Sequence, residues 1–400
     1  MNSLLFALLR ALRGHVWLRL LAFAFILSSL GNGLTQVVVF GQLLRWHATP
    51  TTLTLAWLLA TVPAFIGSLL GEKLCRTYPP LRVLILCELL GLLALVLPLI
   101  GLRLHSLPLL LAVQSVESLL GGISWPALAL TFKRGLREDE LPAATAMENM
   151  IFASQVLFGT GLGVLLFERV SPEALLLIDA VSFMAACGLL WLALQRIAIR
   201  AEEKVFLTGT PLRWRNLSIQ QKRSLLLLPS LAAVGAPAMA LLPALAQQMQ
   251  PENPAGLALP LLFSRSLGQL CGPMLLNSQK MPNYVQRNHL LLGCLGLFLL
   301  AYILMPIMTA FTAVLAAIFI AHLASNVVFA LGTFSVLHQF TEDDVSSASA
   351  KAWRWQTLSA TLATSVTVIL TEQISAAHTL WCVSFFALLL VGIVLFRYRN

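Results

Sequence analysis

The sequence predicts an all-α membrane protein: twelve transmembrane helices arranged as two pseudo-symmetric six-helix bundles. Three observations carry that reading. The chain has 400 residues, of which 58% are hydrophobic and only 11% charged, whereas soluble domains carry about 25% charged residues. Apolar runs of about 20 residues, the length a helix needs to cross the hydrocarbon core, recur along the whole chain. When those runs are threaded up and down starting from inside, the Lys and Arg residues gather on one face. They are Arg10, Arg13 and Arg19; Lys73, Arg76 and Arg82; Lys133, Arg134 and Arg137; those between Arg196 and Arg223; Lys280 and Arg287; Lys351 and Arg354; Arg397 and Arg399. Arg45, Arg103 and Arg169 fall on the opposite face and Arg265 within a span. Lys and Arg in short loops set orientation, so both termini are expected in the cytoplasm.

Residues 1–16 are apolar with Arg10, Arg13 and His15. No small-residue cleavage site follows, so they read as an amphipathic cytoplasmic lead-in to the first span. The spans are expected at 17–43, 52–72, 82–102, 107–132, 142–167, 173–195, 225–247, 256–277, 288–307, 312–337, 346–371 and 376–396. Backbone polar groups cannot stay unpaired in lipid, so such runs are helices. The period-two alternation of an outer-membrane barrel is missing. The longest polar stretch, 196–224, holds Glu202, Glu203, Lys204, Arg213, Arg215, Lys222 and Arg223. It divides the chain into a first bundle at 1–195 and a second at 225–400, six spans each. Internal symmetry is visible too. The segment from Glu138 to Ala146, entering span five, aligns without a gap with that from Glu342 to Ala350, entering span eleven. Acidic residues suit any helix N-terminus, but their equivalent place in each half favours duplication.

The formal net charge of +9 is explained by this one-sided pattern, with attraction to anionic inner-leaflet lipid as a by-product; no nucleic-acid partner is implied. Six cysteines (Cys75, Cys87, Cys187, Cys271, Cys294 and Cys382) are scattered without metal-like spacing and read as small buried hydrophobes. The sequon Asn216-Leu217-Ser218 lies in a cytoplasmic loop. Gly159-Thr160-Gly161-Leu162-Gly163 lies inside span five and lets helices approach closely; it has no Lys-Ser/Thr and is not a phosphate loop. No nucleotide-binding, metal-ligand or nucleophile motif appears, so no cofactor and no enzyme activity are expected.

Several segments together resemble a known family. Ser28-Ser29-Leu30-Gly31-Asn32-Gly33-Leu34, Trp125-Pro126-Ala127, Leu177-Ile178-Asp179-Ala180-Val181-Ser182-Phe183, Pro237 with Leu242-Pro243-Ala244-Leu245-Ala246, and the Trp353 to Gln356 pair resemble the major facilitator superfamily. The resemblance is to its branch of enterobactin exporters and macrolide efflux proteins, and it covers nearly the whole chain. It implies a major facilitator fold in which spans one, four, seven and ten line a central cavity. Spans two, five, eight and eleven would flank it, and three, six, nine and twelve would be scaffold. Two departures stand out. Asn32 replaces an Asp common in the branch and cannot titrate. The loop between spans two and three, which in related transporters latches the cytoplasmic side, reads Gly67-Ser68-Leu69-Leu70-Gly71-Glu72-Lys73-Leu74-Cys75-Arg76. Its acid–base pair survives as Glu72-Lys73, slightly out of register, and Gly67, Glu72, Lys73 and Arg76 are the candidate gating residues.

Ionisable groups at bilayer depth are costly and mark function. Glu117 lies mid-span four with Gln114 a turn earlier; it could bind substrate and carry a proton, or stabilise helix packing. Arg265 in span eight stays charged and needs an anion, either a substrate group or an acid such as Glu117. His322 in span ten, with Ser325 and Asn326 a turn on, suits proton handling or a neutral interhelical hydrogen bond. Asn32, Thr35 and Gln36 share one face of span one and either line the cavity or glue helices. Trp353, Arg354 and Trp355 anchor span eleven at the interface or form a vestibule where an aromatic substrate stacks. Asp179, Glu88 and Glu168 are assigned to structure: Asp179 to a helix–helix hydrogen bond, Glu88 to a pair with Arg82 or Lys73, Glu168 with Arg169 to the outer interface.

The expectation is a secondary transporter of a bacterial inner membrane that moves a small amphiphilic molecule, with protons and membrane lipid as its other partners. Export driven by the proton gradient is favoured, and the family resemblance implies a siderophore. Drug or macrolide efflux, siderophore import and lysophospholipid flipping are the alternatives.

Overall fold

Helix caps and prolines set where the chain turns. Ser3, Ser171 and Ser375 accept from backbone N–H groups of the first helical turn, and Pro63, Pro80, Pro142 and Pro172 sit in first turns, where a missing N–H costs nothing. The computed structural model describes residues 3–47, 56, 59–167, 169–197, 212–249, 254–371 and 373–399. Among them every regular element is a helix. An N-terminal helix, Leu4–Gly14, precedes span one, Val16–Arg45. Span two is described over Pro63–Cys75, span three as Pro80–Ala94 and Val96–Arg103, span four as Leu107–Gly135 and span six as Pro172–Leu194. Span five is Leu141–Ser154, a π-helical turn Gln155–Thr160 and Gly161–Phe167. The later spans are Ile219–Met249, Pro254–Met274, Asn288–Leu304, Phe311–Gln339, Glu342–Thr371 and Ala376–Arg397. Nine of these runs are long and apolar enough to cross a membrane by themselves. Spans two, eight and eleven are shorter as described or more polar. The expected Glu168 and the linker residues Glu202, Glu203 and Lys204 lie outside the described residues.

Packing repeats between the halves. Span one packs on six, two on four, three on four and three on six; seven packs on twelve, eight on ten, nine on ten and nine on twelve. Each half even uses the same device to bring its second span against its fourth. A Cβ on Gly67 would lie 2.0 Å from the Leu119 carbonyl oxygen, and one on Gly71 2.7 Å from that of Ile123. In the second half a Cβ on Gly268 would lie 2.4 Å from the Phe319 oxygen, and one on Gly272 2.2 Å from that of Leu323. Glycines four apart face one way, and small residues at that spacing let backbones touch. Gly67 therefore sits within a helix as a packing residue rather than in a loop.

The halves meet through spans two and four against eleven, and through span five against eight and ten. The larger apolar core runs through both halves and includes Phe132, Met147, Leu228, Leu337 and Phe340. A smaller one, with Leu34, Leu110, Leu175 and Phe183, belongs to the first half alone. Exposed apolar stripes mark the perimeter: Leu177, Val181 and Met184 on span six, Phe385, Leu389 and Ile393 on span twelve. Stripes of this size mark contact with an apolar medium, here lipid.

Asp179 and Glu88 hold span one in place. Thr35 donates to Asp179 Oδ2, and Ser182 to Asp179 Oδ1 at 3.1 Å. Gly31 leaves room for this, since a Cβ there would lie 2.0 Å from Asp179 Oδ1. Ser28 donates to Glu88 Oε2 at 2.8 Å. Glu88 thus pairs with span one, not with Arg82 or Lys73: its side chain points inward, away from the basic surface. At Gly33 the span meets Gly159 of the π-turn, where an added Cβ would be 2.5 Å from the Gly159 Cα.

Candidate functional site

Polar residues not used in helix packing lie in the interior of both halves. On span one, Thr35 is turned to Asp179, so Asn32 and Gln36 remain one turn apart on their own face. Both are half-buried, and Asn32 Oδ1 is buried with no partner. Span four presents Gln114 and Glu117; Gln114 Nε2 and Glu117 Oε1 are likewise buried without partners.

The second half supplies the cation. Arg265 is half-buried on span eight, positioned beyond the Gly268 contact with span ten. Its Nε is buried with no partner, and among the described residues no acidic side chain is in ion-pair contact with it. A pair between Arg265 and Glu117 is therefore not made in this state. Tyr302 and His322, on spans nine and ten, lie within electrostatic reach of Arg265. Tyr302 Oη and His322 Nε2 are 2.9 Å apart, joining spans nine and ten, and Phe298 stands edge-on to the imidazole at 5.4 Å between centroids. His322 is buried and engaged in this interhelical bond, while Gln269 Oε1 and Gln356 Oε1 add two more buried, unpartnered acceptors.

One end of this interior is closed, and it is the end that carries the basic loops. Glu72 Oε1 accepts from Arg76 Nη2 at 3.0 Å, and Glu72 Oε2 accepts from Arg354 Nη2 at 2.9 Å. Arg76 also reaches Ser347 Oγ at 3.3 Å. Spans two and eleven are thus clasped across the halves. Lys73 is exposed, so the expected Glu72–Lys73 pairing is replaced by Glu72 between two arginines. The helical period explains it: Arg76 lies one turn from Glu72 on the same face, whereas Lys73 is rotated away. A second clasp joins spans four and ten. Lys133 Nζ pairs with Glu138 and donates to the Leu337 carbonyl at 2.9 Å, and His338 Nδ1 lies 3.5 Å from Glu138 Oε2.

An aromatic layer adjoins the clasps. Trp125 lies against Trp353, tilted by 30° with centroids 4.6 Å apart, and meets Phe329 at 6.2 Å; Phe152 stacks on Phe329 at 5.9 Å. Trp353 therefore faces the other half, Arg354 serves the clasp, and Trp355 packs on Trp214 of the linker at 5.2 Å. Beside this layer Glu148, only 3% exposed, lines a small cavity with Thr333, Ser349 and Ala352, and its Oε2 has no partner. The sequence reading passed over Glu148. The signal was available: an acidic residue two turns inside an apolar run.

Two six-span halves around a polar interior, sealed at one end by ion pairs, are the architecture of a membrane transporter. The chain belongs to the Major Facilitator Superfamily, whose family model matches residues 21–275. It is a multi-pass membrane transporter and not an enzyme. Solved structures share the fold: a bacterial homologue of the iron transporter ferroportin in an outward-facing state, 16% identical, covering 95% of this chain and 98% of that one with a TM-score of 0.72. The human organic anion transporter MFSD10 is 12% identical over 94% of this chain and 98% of its own, TM-score 0.71. The E. coli fucose:proton symporter is 13% identical over 96% and 98%, TM-score 0.64. A curated protein of Pseudescherichia vulneris, named only as an uncharacterized 29.9 kDa protein, is 63% identical over 74 residues, 18% of this chain and 27% of that protein. The chain thus matches about a quarter of that relative's length.

Proposed function

We propose that this transporter exports a small amphiphilic anion, with siderophores as the favoured class, across a bacterial inner membrane at the expense of the proton gradient. The observation that carries the reading is Arg265. A guanidinium does not lose its charge at physiological pH, and a buried charge without a partner is strongly unfavourable. Among the described residues no acid pairs with Arg265, so an anionic substrate group is the counter-ion that would complete the site. Asn32, Gln36 and Gln356 would supply polar contacts, Trp353 a stacking face, and Glu117 and His322 the proton-carrying groups. The basic loops orient both termini to the cytoplasm by the positive-inside rule; the clasped end is then the cytoplasmic gate, built by Glu72, Arg76 and Arg354.

The test is secretion under iron starvation in the bacterium that carries the gene. Deletion should raise intracellular siderophore and lower it in the medium, and Arg265→Gln should reproduce the deletion while leaving the protein in the membrane. Normal secretion by Arg265→Gln removes the anion site; lost uptake with normal secretion reverses the direction. Drug or macrolide efflux is a second reading, favoured by the unpartnered Glu117 carboxylate, which could hold a cationic substrate. In that case Glu117→Gln abolishes drug resistance and Arg265→Gln does not.

A further inference from the structure

The N-terminal helix Leu4–Gly14 is more than a lead-in. Its buried stripe, Leu4, Leu8 and Ala11, packs on span five, and the helix also touches span eight. Its first residues cross to the second half: Leu4 N–H donates to the Leu276 carbonyl at 3.0 Å, and Ser3 forms an antiparallel bridge with Asn277. Its far end is pinned to the first half. His15 Nε2 lies 3.0 Å from Glu140 Oε1, and Trp17 lies against Gly135, where an added Cβ would be 2.5 Å from the indole. The helix therefore straps the two halves together at the same end as the ion-pair clasps. If that end opens by separating the halves, the Leu4–Leu276 and Ser3–Asn277 contacts must break.

The remaining surface of the helix is built for a bilayer boundary. Leu5 and Leu9, at i and i+4 and about two-fifths exposed, form a second apolar stripe beside the buried one; Leu12 packs on the core, and the equally exposed Phe6 adds an apolar group on the side of Arg10 and Arg13. Arg10 and Arg13, three apart and both exposed, follow further round. His15 is an extended elbow leading directly into span one, which places the helix at the level where a span enters lipid. A short helix with one apolar and one basic face at that depth inserts its apolar stripe among acyl chains and sets its cations among headgroups. No acidic residue lies in Leu4–Gly14 to oppose an anionic surface.

We propose that Leu4–Gly14 is a lipid-anchored strap: anionic phospholipid headgroups bind Arg10 and Arg13, seat the helix, and thereby favour the state closed at the basic end. The occupant is an anionic lipid surface rather than a protein, because the stripe is continuous with a membrane span and its charge is wholly basic. This inference depends on the gate at that end and not on the substrate.

The test uses the full-length protein carrying Ser349→Cys, an almost isosteric change at a residue 3% exposed in the small cavity beside the gate, between Ser347 and Arg354 on span eleven. Alkylation at position 349 is followed by mass spectrometry in nanodiscs of phosphatidylcholine alone or mixed with phosphatidylglycerol. Labelling should be slower by about fivefold or more in the anionic bilayer. Arg10→Gln/Arg13→Gln, two exposed changes, should abolish that difference. A disulfide between Ser3→Cys and Asn277→Cys should give slow labelling in either lipid. Labelling that ignores lipid composition overturns the proposal, as does a lipid effect that survives loss of both arginines. Fast labelling with the disulfide formed shows that the strap does not hold the gate and overturns it too. A normal result here with normal secretion by Arg265→Gln would refute the substrate reading while leaving the strap intact.

Discussion

Arg354→Gln removes one of the two guanidinium groups held by Glu72 and should loosen the gate by a calculable amount. The bond is 2.9 Å long, and its partners are 11% and 17% exposed on Arg354 and Glu72. Hydrogen bonds to charged groups contribute about 1.5–3 kcal/mol, and exposed ion pairs roughly 0–1 kcal/mol. This pair lies between those regimes, and Glu72 keeps Arg76 as a partner at 3.0 Å. A net preference of about 1–2 kcal/mol for the closed state follows, which is roughly a 5–30-fold change in the open-to-closed ratio. Alkylation of Ser349→Cys in purified protein would read it as a rate increase of that order. Glu72→Gln should act more strongly, because it releases both arginines. Lys73→Gln should do nothing, since that side chain is exposed. The reasoning fails if Lys73→Gln opens the gate as much as Arg354→Gln, or if neither Arg354→Gln nor Glu72→Gln changes the rate.

Three further predictions concern stability and packing. Gly67→Ala places a Cβ 2.0 Å from the Leu119 oxygen and should cost about 1–3 kcal/mol as overpacking. Gly121→Ala, with nothing within 4 Å, should be neutral or stabilise by up to about 1 kcal/mol; thermal unfolding in one detergent compares them, and equal effects would refute the tight contact between spans two and four. Arg223→Met removes donors to the Val285 and Leu395 carbonyls and to Asn288 Oδ1 at a residue 1% exposed, with an expected loss of about 2–4 kcal/mol from the acceptors left unsatisfied in the same melts. Asp179→Leu leaves Thr35 and Ser182 without their acceptor and should destabilise by about 2–4 kcal/mol; a double mutant with Thr35→Val should lose less than the sum of the single changes.

Much of the architecture was legible because the bilayer imposes it. Span length follows from hydrocarbon thickness, helicity from the need to pair every backbone polar group, and the sided charge pattern from orientation. The repeat between Glu138 and Glu342 could be aligned by eye, and the structure shows matching interhelical pairings in both halves. Side-chain partnerships were less accessible. Glu72 was matched to its neighbour Lys73 because sequence reading sees adjacency. The fold instead brings Arg354 to it from 282 residues away. Asn32, Thr35 and Gln36 looked like one polar face, yet span six withdraws Thr35. Glu148 was visible as an acid inside an apolar run, but the cavity it lines with Thr333 and Ser349 joins spans five, ten and eleven and exists only in the fold.

The chain by itself determined a twelve-span helical membrane protein and which ionisable groups fall inside its apolar runs, because water, lipid and helix geometry act on every residue in the same way. The tertiary structure decided which of those groups are spent on packing and which remain without partners. Asp179, Glu88 and His322 are hydrogen-bonded between helices, whereas Arg265 and Glu117 are not paired with each other. That difference depends on the rotation and crossing of helices far apart in sequence, which close glycine contacts help to set and which no local pattern encodes.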